Sequence, residues 1–288
     1  MRGFRRNAFG YAVCFAAGML VGGQTTNAET ITLPRSVPSF NQAYTDGPGA
    51  WGSWALGSDG CPDRLAETGC LVTAFACVLD YFDVHLAVSA AQSSTGRAQS
   101  GMDPGILNDW LRANDGYGQC SQDPAGSCCL VWERVPEVDL AFHSNRSNTG
   151  LNAVSAVVID HALRQGNPVI AGVHWTGSCN GSSQAEDCHW VVITGKSGSR
   201  YTIIDPYNPD ASSWVGVRTT LRGGSFGSYV IDRFVVVKPA DGTLAGEDGD
   251  GGDGRSTTAA FGPSALTILA VLALTAAIVL TVVALGRR

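Results

Sequence analysis

The chain has few charges, and nowhere do the basic ones gather. Of 288 residues only 15% are charged, with 19 Lys and Arg against 25 Asp and Glu, for a formal charge of −6. No stripe of Lys and Arg runs along any segment. A nucleic-acid partner is therefore not expected, because phosphate binding rests on clustered cations. There is also no C-x-x-C pair and no histidine at ligand spacing, which argues against zinc. A complete phosphate-binding loop is missing as well. Gly195-Lys196-Ser197 matches the end of one, but the required first glycine falls at Trp190. The segment also joins two strand patterns rather than a strand and a helix. It reads as a hairpin turn, Gly195-Lys196-Ser197-Gly198, and no cofactor or metal is expected.

Long apolar runs are confined to the two ends. Arg2, Arg5 and Arg6 precede an apolar stretch from Ala8 to Gly22, and Thr26-Asn27-Ala28 ends in a small residue. Residues 1–28 thus read as a cleaved signal peptide, with an uncleaved anchor or buried helix as the competing reading. Pro263 to Leu285 carries no charge and is rich in Leu, Val, Ile and Ala. Residues 263–286 are long enough to cross the hydrocarbon core as a helix. Arg287 and Arg288 follow, and positive flanks stay in the cytoplasm. The competitor here is a sorting signal whose tail is later removed. Residues 240–262 hold Glu247, Asp248, Asp250 and Asp253 among many glycines, a solvated acidic linker. The expectation is a single-pass protein of the cell membrane, with an extracytoplasmic N-terminal domain and a cytoplasmic C-terminus.

Residues 29–239 are the right size for one domain with a substantial core. Three arginines leave with the signal, taking the formal charge from −6 to −9. Nine cysteines are present, and Cys14 leaves with the signal. An exported domain sits in an oxidising compartment, so disulfides are expected among the other eight. If Cys70 is kept free for chemistry, a second cysteine must also stay unpaired. Cys77, two turns along the same apolar helix, is the natural choice. Cys179–Cys188 could then close a Gly/Ser-rich loop, Cys120 could pair with Cys128 or Cys129, and Cys61 could take the remaining one. The simpler parity pairs all eight, with Cys70 bonded to Cys61.

Along the domain, Val37 to Tyr44 reads as an extended lead-in. Gly47 to Asp63 reads as a loop whose Trp51 and Trp54 are available to line a surface cleft. Cys70 to Phe82 is apolar almost all round, the mark of a buried central helix. Asp103 and Pro104 look like the N-cap and first position of another helix. Leu151 to Gln165 is a further helix that ends at Gly166. Pro168–Val173, His189–Thr194, Arg200–Asp205 and Arg233–Lys238 read as strands. Helices followed by an antiparallel sheet suggest an α+β fold.

Cys70 follows a glycine turn and opens the central helix, where the positive end of the macrodipole favours the thiolate, the nucleophilic form. His189 opens a strand and Asp205 closes the next, and a hairpin can set them side by side. A thiol hydrolase needs a nucleophile, a base, a group orienting that base, and donors for the developing oxyanion. Cys70, His189 and Asp205 fit the first three roles, and the Cys70 N–H fits the fourth. Gln42 is the upstream side-chain amide that could assist. Each also has an ordinary reading: Cys70 as a disulfide half, His189 as a strand-end histidine, Asp205 as the start of a turn. His85, His143 and His161 read as surface or core residues, with His174 as a spare base at a strand end.

The segments Val37-Pro38 to Gln42, Gly69-Cys70 with Thr73-Ala74, Pro104 with Leu107-Asn108 and Trp110-Leu111, Gly166-Asn167-Pro168-Val169-Ile170, His189-Trp190-Val191-Val192 and Asp205-Pro206 together resemble a known family. It is that of the papain-like cysteine peptidases of the bacteriocin-leader-processing type, family thirty-nine, and more closely their stand-alone relatives. The resemblance implies a papain-like fold with the central N-terminal helix packed on an antiparallel sheet. It also implies Cys70 as nucleophile, His189 as base, Asp205 as its orienting partner and Gln42 in the oxyanion hole. The expected function is a membrane-anchored extracytoplasmic thiol peptidase or amidase acting on peptide or protein substrates. A non-catalytic surface binding module and an acyl transferase using the same triad are the alternatives.

Overall fold

Alternation of Thr and Ile makes Thr30–Thr32 a short strand, β1, with Ile31 buried between exposed threonines. A single helical turn, α1 at Leu65–Thr68, is closed by a Glu67 carboxylate that accepts from the Arg64 N–H at 3.0 Å. Gly69 separates it from α2, Cys70–Tyr81. A Cβ on Gly69 would lie 2.4 Å from the Leu65 carbonyl oxygen, so only glycine lets the two helices abut. Every residue of α2 from Val72 to Leu79 is buried. The chain then forms a small hairpin, β2 (Leu86–Val88) with β3 (Gln99–Gly101). Next comes α3, Pro104–Ala113, where Asp103 Oδ1 accepts from the Ile106 N–H at 2.8 Å. A second two-stranded piece pairs β4 (Tyr117–Gly118) with β5 (Cys129–Leu130).

The second half builds the main sheet from β6 (Val138–Ser144), β7 (Val169–His174), β8 (Cys188–Ser197), β9 (Arg200–Asp205), β10 (Val217–Thr220) and β11 (Val230–Pro239). Helix α4, Ala153–Arg164, precedes β7. Asn152 caps its start, and Gly166 at φ +77° follows its end. The strand order is β10-β9-β8-β7-β11-β6, with β1 also paired to β8 and every pairing antiparallel. Side chains alternate between the faces. Ile170, Val192, Ile204 and Val235 pack with α2 in one core, whereas Val169, Ala171, Val191 and Ile203 pack with Ile159 and Leu163 of α4 in another. Burial on both faces explains why β7 is apolar from Val169 to Val173 rather than alternating.

The computed structural model describes residues 29–240, except 59, 121–125, 136, 145–150 and 176–187. The expected signal peptide, the linker beyond Ala240 and the span at 263–286 lie outside the described residues. Among the described residues no helix is long and apolar enough to cross a membrane.

A mixed domain of few helices and an antiparallel sheet is what the sequence led to expect, but several details differ. Strand β8 runs on to Ser197, so the turn is only Gly198 and Ser199, with Ser197 opposite Arg200. Gly198 supplies the φ of +60° that the turn needs. Trp51 does not line a surface cleft. It is buried in the α2 core, and its indole N–H donates to the Asn41 carbonyl at 2.7 Å. Trp54 is half-buried, pressed so close to α3 that a Cβ on Gly105 would sit 2.4 Å from its ring. Strands β2 to β5 are too short, at two or three residues each, to stand out by alternation alone.

Candidate active site

Cys70 is the first residue of α2, half-buried and free. The reading in which all eight cysteines pair is therefore corrected. Cys61 bonds to Cys128 and Cys120 to Cys129, while Cys70 and Cys77 stay as thiols. Cys188 is disulfide-bonded, and Cys179 lies outside the described residues. Cys77 is fully buried, its sulfur accepts from the Phe40 N–H at 3.4 Å, and burial pushes its pKa up to about 12. It is a packing residue rather than a reagent. The Cys70 thiol, by contrast, donates to the Thr68 carbonyl at 3.9 Å and lies close enough to His189 to interact with its ring. It stands at the N-terminus of α2, where unpaired N–H groups and the helix dipole favour negative charge.

His189 is 4% exposed, one residue into β8, and its Nε2 lies 2.7 Å from Asp205 Oδ1. The strand register explains the reach. Val192 faces Ile204, so Asp205 falls beside Val191, two residues from His189 on the same face. The long imidazole covers that diagonal. With Nε2 bonded to Asp205, Nδ1 is the ring nitrogen left for the thiol. Burial pulls the His189 pKa down. The hydrogen bond to Asp205 and the nearby Cys70 outweigh it, and the net shift is upward, to about 9. Burial alone would raise the Asp205 pKa. Its bonds to His189, the Ser225 N–H and Tyr229 hold it down instead, at about 2. Both shifts favour the imidazolium–carboxylate form that the pair reaches when His189 takes up a proton.

Asp205 is fully buried and takes four donors. Oδ1 accepts from His189 Nε2 and from the Tyr207 N–H at 3.0 Å. Oδ2 accepts from the Ser225 N–H at 2.9 Å and the Tyr229 hydroxyl at 2.7 Å. Phe226 stands edge-on to His189, with ring centroids 5.3 Å apart, and stacks on Trp175 at 4.6 Å. Ser225, Phe226 and Tyr229 come from a segment that sequence reasoning passed over. The available signal was one aromatic, Phe226, inside the Gly/Ser run from Gly223 to Ser228 and a second, Tyr229, directly after it, just before the last strand.

Gln42 is brought to the same end of the domain through its backbone. Its N–H donates to the Pro206 carbonyl at 2.8 Å, one residue past Asp205. Its side-chain amide is buried and donates to the Ala66 carbonyl at 3.2 Å, in the turn leading to Cys70. That uses one of the two amide hydrogens. The neighbouring Asn41 is the fastener. Fully buried, its Oδ1 accepts from the Ala43 and Asn208 N–H groups, and its Nδ2 donates to the Asp210 and Ser213 carbonyls. That side chain, with the backbone bonds from Asn41 to Trp214 and from Gln42 to Pro206, ties the lead-in segment to the loop after Asp205.

The spare histidine has another partner. His174 ends β7, is buried, and places Nδ1 2.7 Å from Asp232 Oδ2. His85 is exposed and bonds to Asp83. Cys61, Asp63 and Cys128 approach to ligand distance, but the two sulfurs are spent on each other in a disulfide. That leaves a lone carboxylate, which is no cage for a cation.

No curated protein matches the chain. A family model described as the Peptidase_C39 like family matches residues 34–222, from the lead-in segment through β10. That stretch is well over half of the 288 residues and contains Gln42, Cys70, His189 and Asp205. The chain belongs to the Peptidase_C39-like family.

Proposed function

We propose that the protein is a thiol peptidase or amidase that hydrolyses peptide bonds through Cys70, His189 and Asp205. The observation that carries the reading is a free thiol at a helix start, beside a buried histidine that is itself 2.7 Å from a buried carboxylate. Membership of a cysteine-peptidase family agrees with it. In this reading His189 Nδ1 takes the thiol proton, and the Cys70 sulfur attacks the scissile carbonyl carbon. The oxyanion forms beside the Cys70 N–H, with the second amide hydrogen of Gln42 as the other donor. His189 then gives its proton to the leaving amine, and water releases the acyl group. Asp205 keeps Nε2 protonated, so that Nδ1 faces the thiol throughout.

The apolar ends complete the proposal. The same reading takes 1–28 as a signal and 263–286, followed by Arg287 and Arg288, as a membrane span, with the domain outside the cell membrane on an acidic stalk. Bonded cysteines in the domain agree with an oxidising compartment. The test compares wild-type protein with Cys70→Ala on a broad peptide library. Cleavage that disappears in the variant supports the reading, and equal cleavage by both overturns it.

A further inference from the structure

The carboxylate of Asp205 has more support than a base-orienting group needs for one histidine. Half of that support comes from a short loop 20 to 24 residues downstream. Tyr229 lies just before β11, 5% exposed. Its hydroxyl donates to Asp205 Oδ2 at 2.7 Å and accepts from the Phe226 N–H at 3.3 Å. The Ser225 N–H donates to the same Oδ2, and the Ser225 hydroxyl donates to the Tyr207 carbonyl at 2.7 Å. Gly224 is built for this contact, since a Cβ there would lie 2.1 Å from the Tyr229 ring. Burial and the nearby Asp205 charge both push the phenol pKa upward, so the hydroxyl stays a donor wherever the domain is folded. The same loop lays Phe226 edge-on against the His189 ring.

We propose that Tyr229 is a positioning residue for the Cys70–His189–Asp205 site, its hydroxyl fixing Asp205 Oδ2 so that Oδ1 holds His189 in the thiol-facing orientation. The inference rests on the proposed triad, because Tyr229 touches no reacting atom and acts only through Asp205. A purely structural tyrosine would contribute to folding and leave thiol reactivity alone. A positioning one changes how readily Cys70 ionises.

The experiment reads alkylation of the native full-length protein by iodoacetamide between pH 5 and 9, with the modified cysteine identified by mass spectrometry. Variants Tyr229→Phe, Asp205→Asn and the double variant are compared with wild type. Tyr229→Phe keeps the ring and loses only the donor. Its Cys70 alkylation rate at pH 6 is expected to fall about tenfold, the factor carried by one hydrogen bond to a charged group. In the Asp205→Asn background the same substitution is expected to change the rate less than about twofold, as acting through one shared partner requires. Incorporating p-aminophenylalanine at 229 restores an N–H donor in the same place, and its rate is expected between those of Tyr229→Phe and wild type. Wild-type rates in Tyr229→Phe, equal losses in both backgrounds, or no recovery with the amino analogue would each overturn the proposal. If Asp205→Asn slows alkylation while Tyr229→Phe does not, only the role of Tyr229 fails. If Asp205→Asn itself has no effect, the triad fails with it.

Discussion

Asp205→Asn is the substitution that presses hardest on the site, because the side chain keeps its shape and loses only charge and one acceptor. Asp205 receives four donors, two on each oxygen. An amide can satisfy only the two on its oxygen side. With the NH2 on the Oδ2 side it meets the Ser225 N–H, which cannot accept. With the NH2 on the Oδ1 side it meets the Tyr207 N–H and asks His189 Nε2 to accept. The imidazole proton then moves to Nδ1, and the nitrogen facing Cys70 is no longer a base. The first arrangement orphans a buried donor at about 1–3 kcal/mol, and in a domain of this size that lowers Tm by about 5 °C. The second removes general-base help, worth about 10²–10⁴ in rate.

The assay needs no known substrate. Among the described residues only Cys70 and Cys77 are free, and Cys77 is buried with its pKa pushed up to about 12, so iodoacetamide reads Cys70. An unassisted thiol is only about 0.3% thiolate at pH 6, so losing the histidine's help can cost at most about 300-fold. A fall of roughly tenfold to that limit is expected at pH 6. Wild-type alkylation rates across the whole range, in a variant whose melt shows it folded, would refute the reasoning.

The same pair predicts how stability follows pH. The His189 pKa is raised on folding, so its contribution is complete below the ordinary 6.5 and lost as pH climbs to about 9. The Asp205 pKa is depressed, so its contribution is complete above 3.8 and lost as pH falls toward about 2. Thermal melts should therefore plateau between those limits and decline from pH 6.5 to 9, and a flat alkaline limb would contradict the assignment. Removing the Cys61–Cys128 bridge by a double Cys→Ser change opens a cross-link between residues 67 apart. The chain-entropy cost is about 4 kcal/mol, read by urea unfolding, and a loss under about 1 kcal/mol would show that the bridge constrains little. Asn41→Ala strips four hydrogen bonds from a buried junction and is expected to destabilise by about 3 kcal/mol. Because the junction carries Gln42 and the loop after Asp205, alkylation should slow as well, and unchanged reactivity would separate the two effects.

Much of the site could be read along the chain because its parts are local. Gly69-Cys70 before an all-apolar run marks a buried helix start. Asp103-Pro104 marks a cap by its own chemistry, and Arg200–Asp205 begins and ends where its pattern does. Asp205 closes a strand hairpinned to the one His189 opens, so even their proximity followed from a short turn. The partners of the cysteines did not follow, since counting thiols sets how many can pair but not which. Trp51 misled for a related reason. An indole in a loop segment looks available until the fold wraps Asn41 and Tyr44 around it.

What the residues decided unaided was the repertoire: a thiol at a helix start, an imidazole and a carboxylate on neighbouring strands, and an amide upstream. Secondary structure is set by patterns a few residues long, and those patterns are written in the chain. Tertiary structure decided how the repertoire is held. It paired β1 with β8 across about 165 residues, set Gln42 against Pro206, and closed Tyr229 and Ser225 over Asp205. No spacing rule announces such contacts, because they depend on strand order and register. Those are settled only when the apolar faces of α2, the sheet and α4 are buried together.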